Sequence, residues 1–235
     1  MTTLAELTTF RVGGEVSRLV RATSSEELVA AVRAADEEQR QLLVLGGGSN
    51  LLASDAPFDG TVVAVCPGAE IARIVEEDAA GSVIVRVWAG MVWDDFVAWS
   101  VEEHLSGIEA LSGIPGSAGA SLVGAYGHEV AETIHSVEAY DRLEQRIVRL
   151  LPSELGFAYR SSAIKHSIGQ PGLPGRVWGP TGRWVVLSVD FRLERSSLSA
   201  PVMYSELARR LGVEAGERAE ASLVRSTVLE LRAGK

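Results

Sequence analysis

Apolar positions in the first third of the chain change period twice. Ser24 is followed three residues later by Glu27, and Leu28, Val29, Val32 and Ala35 then recur at helical spacing. This predicts one amphipathic helix ending in Asp36-Glu37-Glu38. The run Leu42-Leu43-Val44-Leu45 is too short for a helix and stops at Gly46-Gly47-Gly48, which predicts a buried strand entering a tight turn. Thr61 to Val65, after Pro57 and Gly60, predicts a second strand, so the opening reads as a small α/β unit ending near Cys66.

Beyond Pro67-Gly68 the alternation of Val83, Val85 and Val87 within Ser82 to Ala89 predicts a half-buried strand. Trp93, Phe96, Val97 and Val101 mark a helix that ends near Leu105-Ser106-Gly107. Ser136 to Tyr140 and Trp184 to Leu193 read as strands on either side of a Gly- and Pro-bearing loop from Gly169 to Gly182. Tyr204 to Leu211 and Leu223 to Ala233 are helical in pattern.

Composition narrows the picture. The 235 residues are 46% hydrophobic and 23% charged, the balance of a globular chain with one large core or two modest ones. A net charge of −9 argues against nucleic acid, which rewards basic surfaces that release counterions from phosphates. The single cysteine, Cys66, excludes an internal disulfide and a cysteine-based metal cluster and suggests a reducing compartment, so a cytoplasmic location is expected. No stretch reaches the roughly 18 apolar residues of a membrane span, and the N-terminus shows no secretory pattern. His104, His128, His135 and His166 match no metal-binding spacing and read as surface or loop residues, so no metal is expected.

Three segments could carry chemistry. In Leu45-Gly46-Gly47-Gly48-Ser49-Asn50-Leu51-Leu52, successive glycines can converge their N–H groups on an anion such as a pyrophosphate; a ligand-free tight turn fits the same residues. From Ser112 to Gly127, glycines 113, 116, 119, 124 and 127 with Pro115 would let the main chain lie flat against a planar ligand and offer it amides; a structural crossover fits too. In Gly156-Phe157-Ala158-Tyr159-Arg160-Ser161-Ser162-Ala163-Ile164-Lys165, an arginine at the edge of an apolar cluster could hold a carboxylate in bidentate fashion, or sit in a surface ion pair.

Taken in order, these segments resemble the UDP-N-acetylenolpyruvoylglucosamine reductases, also called UDP-N-acetylmuramate dehydrogenases. Thr8-Thr9-Phe10-Arg11-Val12-Gly13-Gly14 is similar to the family's opening, and Leu45 to Leu52 to its pyrophosphate loop. Gly107-Ile108-Glu109 through Gly127-His128-Glu129 is similar to its flavin-facing loop, and Phe157 to Lys165 to the segment bearing its catalytic arginine. Val202 to Leu207 and Leu231 to Lys235 resemble the segments carrying a substrate-binding tyrosine and lysine.

The resemblance implies an α+β chain with the FAD-binding fold of the vanillyl-alcohol-oxidase type. Two α/β subdomains, 1–66 and 67–195, would be followed by an incomplete C-terminal substrate-binding domain, 196–235. FAD would be held without a covalent bond by Gly46, Gly47, Gly48, Ser49, Asn50, Leu51, Ile114, Pro115, Gly116, Ser117, Gly119, Ala120, Gly124 and Tyr126. NADPH would reduce the flavin, whose N5 would pass hydride to the UDP-sugar enolpyruvyl substrate, giving UDP-N-acetylmuramate for peptidoglycan. Arg160 would be catalytic, binding the substrate carboxylate beside Tyr159, while Tyr204 and Lys235 would hold the UDP moiety. The oligomeric state is left open.

Two departures from the family pattern set further expectations. The stretch Ala120 to Gly124 lacks the family's Gln-Asn pair, and a loop about three residues shorter loses roughly 10 Å of reach, which puts FAD affinity in question. The family's later glycine-serine-phenylalanine-phenylalanine segment and final glutamate lie beyond Lys235, so a truncated chain of very low turnover is expected, positioned proton transfer being worth about 10²–10⁴-fold. The helix Leu223 to Ala233 would then lack packing partners. The alternatives are a catalytically inactive flavin or nucleotide binder acting by interaction, and another flavin oxidase chemistry on the same fold.

Overall fold

The protein is described here by a computed structural model covering residues 2–69, 72–120, 130–157 and 161–234. The chain opens with a short helix, α1 (Leu4–Leu7), then strand β1 (Val16–Ala22), helix α2 (Ser25–Glu37) and strands β2 (Gln41–Leu45) and β3 (Phe58–Val65). The Ser24 side chain accepts from the Glu27 N–H and closes the N-terminus of α2, as its position predicts. The Glu27 carboxylate reaches back to the N–H and hydroxyl of Thr23, one residue before the cap. β1, β3 and β2 form a parallel sheet in that order, with α2 as the crossover.

The next elements are β4 (Ala72–Glu77), β5 (Ser82–Trp88), α3 (Trp93–Glu102), β6 (Leu105–Ser106), a 3₁₀ turn at Glu109–Leu111, α4 (Val130–Thr133), β7 (Ile134–Asp141), β8 (Arg146–Leu150), α5 (Pro152–Leu155), α6 (Ala163–His166) and β9 (Trp184–Arg195). Their strands form an antiparallel sheet ordered β4-β5-β9-β7-β8, with β6 beside β9. The edge strands β4 and β8 carry no apolar alternation in the sequence because most of their side chains stay in water.

Two cores sit on the two faces of this sheet. Trp93, Phe96 and Val97 of α3 pack on Val85, Val189 and Phe191. On the other face Leu28, Val32 and Ala35 of α2 meet Tyr140, Val185 and Leu187, so α2 lies between the sheets. Leu28 and Val32 are fully buried and contribute about 1.5–3 kcal/mol each. β9 serves both faces from odd-numbered positions because its pairing with β7 shifts between Glu138 and Ala139, placing one extra residue in β9. Past the edge of α2 the same face carries Asp190, which accepts two hydrogen bonds from Arg86 and one from Ser136. Burial alone would raise the Asp190 carboxyl, but these donors outweigh it and hold the group below the usual carboxylate range.

Helices α7 (Ser205–Leu211) and α8 (Ala221–Ala233) close the chain. Gly212 stops α7 in the left-handed conformation at φ 71°. The expectation that the last helix lacks partners is corrected: Val224, Val228 and Leu231 are buried with Val202, Leu207 and Ala208, and Ala110 of the 3₁₀ turn joins them. A stripe at helical spacing needs only one apolar neighbour, and α7 supplies it.

Candidate functional site

The turn after β2 and the glycine-bearing loop before residue 121 lie 66 positions apart in sequence and touch in space. A β-carbon on Gly46 would lie 2.6 Å from Ser117 Oγ, and one on Gly47 would lie 3.0 Å from Gly116 Cα. The Ser49 hydroxyl donates to the Pro115 carbonyl at 3.4 Å. Glycine is required at this crossing because the two backbones approach more closely than side chains allow.

The 46–50 turn is braced from behind by the opening motif. The Thr9 N–H donates to the Gly48 carbonyl at 3.0 Å, and Gly48 turns at φ +66°. A β-carbon there would sit 2.1 Å from the Leu7 carbonyl oxygen. Gly47 and Asn50 are exposed, Ser49 is half-buried, and Leu51 packs beside Leu43, Leu45 and Val62 as part of the core. The N–H groups of Gly47, Gly48, Ser49 and Asn50 donate to no acceptor among the described residues, so the donors of this turn stay open.

The second loop differs from expectation. Its amides were expected to face a ligand, but Ala118 N–H donates to the Met91 carbonyl, Gly119 N–H to Ala89 and Ala120 N–H to Ser117. Gly113 N–H donates to the Asp94 carboxylate at 2.6 Å. Two of these four amides are consumed by a short pairing with residues 89–92, one by a local turn and one by the Asp94 side chain, because a buried N–H left open would cost free energy. Ile114 and Gly116 keep amides with no acceptor among the described residues. Gly119 and Ala120 therefore present main-chain and methyl surface to the site.

Between the sheets lies a cavity of about 190 Å³ bordered by Gly46, Ser117, Gly119 and Ala120. Val44 and Val65 line it from the first sheet, Val185 and Val186 from the second, Ala89 from just past β5, Ile164 and Lys165 from α6, and Thr181 and Gly182 from the loop before β9. None of these walls was picked out from the sequence as part of a site, although Ile164 and Lys165 were quoted at the end of a motif and Val44 within a strand. The approach of 164–168 to 180–182 has no local signature beyond the proline and glycine of the second segment. Lys165 brings an exposed ammonium in no ion pair among the described residues. The cavity reaches the turn at Gly46, the residue immediately before the open main-chain donors.

The remaining expected site residues divide. Gly124, Tyr126, Tyr159, Arg160 and Lys235 lie outside the described residues. Tyr204 is half-buried just before α7, packed against the C-terminal cluster that contains Val202 and Leu207. No group of three or more His, Cys, Asp or Glu among the described residues is placed to hold a metal ion. No helix among them is long and apolar enough to cross a membrane.

Residues 16–150 match the family model described as "FAD binding domain". The chain is 48% identical over 235 residues to the UDP-N-acetylenolpyruvoylglucosamine reductase of Salinispora arenicola, covering 99% of this chain and 60% of that relative. It is 46% identical to the reductase of the same name from Thermobifida fusca, of which it covers 61%. The solved UDP-N-acetylenolpyruvylglucosamine reductase of Thermus caldophilus aligns with all of this chain and 69% of its own, at a TM-score of 0.65 and 25% identity. The fold is also that of 6-hydroxy-D-nicotine oxidase from Arthrobacter nicotinovorans, with a TM-score of 0.54 over 88% of this chain at 21% identity. The chain thus spans about 60% of the length of the curated relatives it matches. Matched by its model over more than half of its residues, the chain belongs to the FAD-binding domain family, and within it is homologous to the UDP-N-acetylenolpyruvoylglucosamine reductases.

Proposed function

We propose that the chain binds FAD without a covalent bond and forms the cofactor-holding part of a reductase that converts UDP-N-acetylglucosamine enolpyruvate to UDP-N-acetylmuramate at the expense of NADPH, in the cytoplasm, for peptidoglycan. The observation that carries this reading is the meeting of the 46–50 turn with the 113–120 loop at the mouth of an apolar cavity. FAD would supply the two-electron chemistry, accepting hydride from the nicotinamide and passing it to the enolpyruvyl carbon.

The protein's share is binding and polarisation. Gly47 to Asn50 donate main-chain N–H groups to the pyrophosphate, and Gly116, Ser117, Gly119 and Ala120 form the opposite wall. Ile114 and Pro115 extend that wall, and the family resemblance assigns Gly124 and Tyr126 to the same cofactor. Arg160, beside Tyr159, holds the substrate carboxylate and stabilises charge that develops there, a role suited to a bidentate guanidinium. Tyr204 and Lys235 hold the UDP moiety. On this reading 1–66 and 67–195 are the two cofactor-binding units and 196–235 contributes to the substrate side. With two-fifths of the relatives' length outside the match, turnover by these 235 residues alone is proposed to be very low.

Purified chain is expected to carry or take up FAD that acid releases intact, and NADPH is expected to bleach it without oxygen faster than it bleaches free FAD. Colourless protein that takes up no added FAD overturns the reading. Bleaching without any UDP-N-acetylmuramate, even with residues of a relative beyond the match supplied in trans, would favour a binder acting by interaction. Arg160→Lys is expected to leave FAD affinity within about twofold and to lower product formation by about 10²-fold, since an ammonium cannot grip a carboxylate through two parallel N–H groups.

A further inference from the structure

Arg142 is buried at 2% exposure beside the cleft, and the proposed reaction gives it no task. It follows β7 directly and reaches Asp36 in the last turn of α2, whose side chain is 8% exposed. Arg142 Nε donates to one Asp36 oxygen at 2.9 Å and Nη2 to the other at 2.5 Å. Nη1 donates to the carbonyls of Thr181 and Gly182 at 2.8 and 2.9 Å, and the guanidinium lies 4.2 Å from the centroid of the buried Trp178 ring.

Stability alone is a poor reason for such a pair, because taking two charges out of water offsets most of their attraction and an apolar pair of similar volume often does as well. An apolar pair cannot hold two consecutive carbonyls. Those carbonyls belong to Thr181 and Gly182, which line the cleft. From its other side Thr181 is pinned to β2, its N–H donating to the Leu42 carbonyl at 3.2 Å and its hydroxyl accepting the Val44 N–H at 2.7 Å. Val44 also lines the cleft. The strip is held between β2 and one guanidinium, which fixes the width of the slot between the sheets.

We infer that Arg142 is a positioning residue for the bound dinucleotide: through the Thr181 and Gly182 carbonyls it sets the cleft wall and with it the affinity for FAD. This rests on the FAD reading above. The test compares the full 235-residue chain with Arg142→Lys, Arg142→Met and the double variant Asp36→Leu/Arg142→Met. The melting temperature without cofactor, the dissociation constant for FAD and the visible spectrum of bound flavin are measured for each. Arg142→Met is expected to lose both stability and affinity, since it removes both short hydrogen bonds to the buried Asp36 carboxylate and leaves it only the longer 3.7 Å ion pair with Arg176. The double variant is expected to regain the melting temperature while its dissociation constant stays about tenfold or more above wild type, as when the binding-competent wall is formed in about a tenth of the molecules. Arg142→Lys keeps a charge for Asp36 without the fork, and its affinity is expected to fall between the two.

Recovery of stability and affinity together in the double variant overturns the inference, leaving Arg142 a structural residue only. If neither Met-bearing variant folds, an unchanged FAD affinity in Arg142→Lys overturns it and a weakened one with an altered flavin spectrum supports it. Wild-type protein that binds no FAD overturns this inference and the functional reading together, whereas normal wild-type binding with unaltered variants overturns this one alone.

Discussion

Gly48→Ala is expected to destabilise the protein by roughly 3 kcal/mol and to abolish FAD uptake under conditions where the wild type saturates. Two costs combine at this position. The backbone sits at φ +66°, where an L side chain is strained, and the new methyl would lie 2.1 Å from the Leu7 carbonyl oxygen. Neither the turn nor the segment behind it can yield cheaply, because the Thr9 N–H is bonded to the Gly48 carbonyl and Thr8 is itself buried. Gly47→Ala provides the contrast. Its methyl would lie 3.0 Å from Gly116 Cα and so would push apart the two loops at the mouth of the cleft, without any positive φ to violate. Stability is expected to change by less than about 1 kcal/mol while the dissociation constant for FAD rises about tenfold. Denaturant titration of the apo-protein and fluorescence titration with FAD separate the two. Equal losses of stability in the two variants, or normal FAD binding by Gly48→Ala, would contradict the cradle.

Asp94→Ala is expected to loosen the C-terminal helices from the rest of the chain and to cost about 2 kcal/mol. One Asp94 oxygen accepts both from Arg225 Nη1 and from Gly113 N–H, each at 2.6 Å, and the other accepts from Arg225 Nη2 at 2.8 Å. A single carboxylate therefore ties α8 to the first residue of the second glycine loop. Removal strands a guanidinium that is 18% exposed and a loop amide together. The hydrogen bonds from Arg225 are the main reason the Asp94 carboxyl lies below its usual range, against a burial contribution of opposite sign. A carboxyl depressed on folding stabilises the folded state fully above its unfolded pKa of about 3.9, and that contribution is lost as pH falls through the lower folded value. Acid unfolding of the wild type should accordingly begin below about pH 4, and Asp94→Ala should flatten the dependence of stability on pH there. Hydrogen exchange of α8 amides reads the docking directly, and unchanged protection of residues 221–233 in Asp94→Ala would sink the coupling.

Much of the secondary structure was legible because local physics sets it. The Ser24 cap and the Leu28, Val32, Ala35 stripe fix α2 wherever the helix ends up, and the valines of β5 alternate regardless of their neighbours. The charged edge strands β4 and β8 escaped because half or more of each lies in water and follows no alternation. The glycine loops were legible as places where a ligand meets bare main chain, yet the sequence could not tell that Ala118, Gly119 and Ala120 spend their N–H groups on nearby carbonyls. Hydrogen-bond partners are a property of the folded neighbourhood, and residues 89–91 become that neighbourhood only through the sheet.

By itself, the sequence determined the elements with a clear apolar period, the family resemblance and the two segments able to approach a dinucleotide, since spacing and side-chain type suffice for those. Only the tertiary structure decided that Gly47 meets Gly116, that Arg142 reaches Asp36 across 106 positions and that Thr181 walls the cleft. Contacts so far apart in the chain are chosen by how two sheets bury the faces of one helix, and that joint burial leaves no mark in any local stretch of sequence.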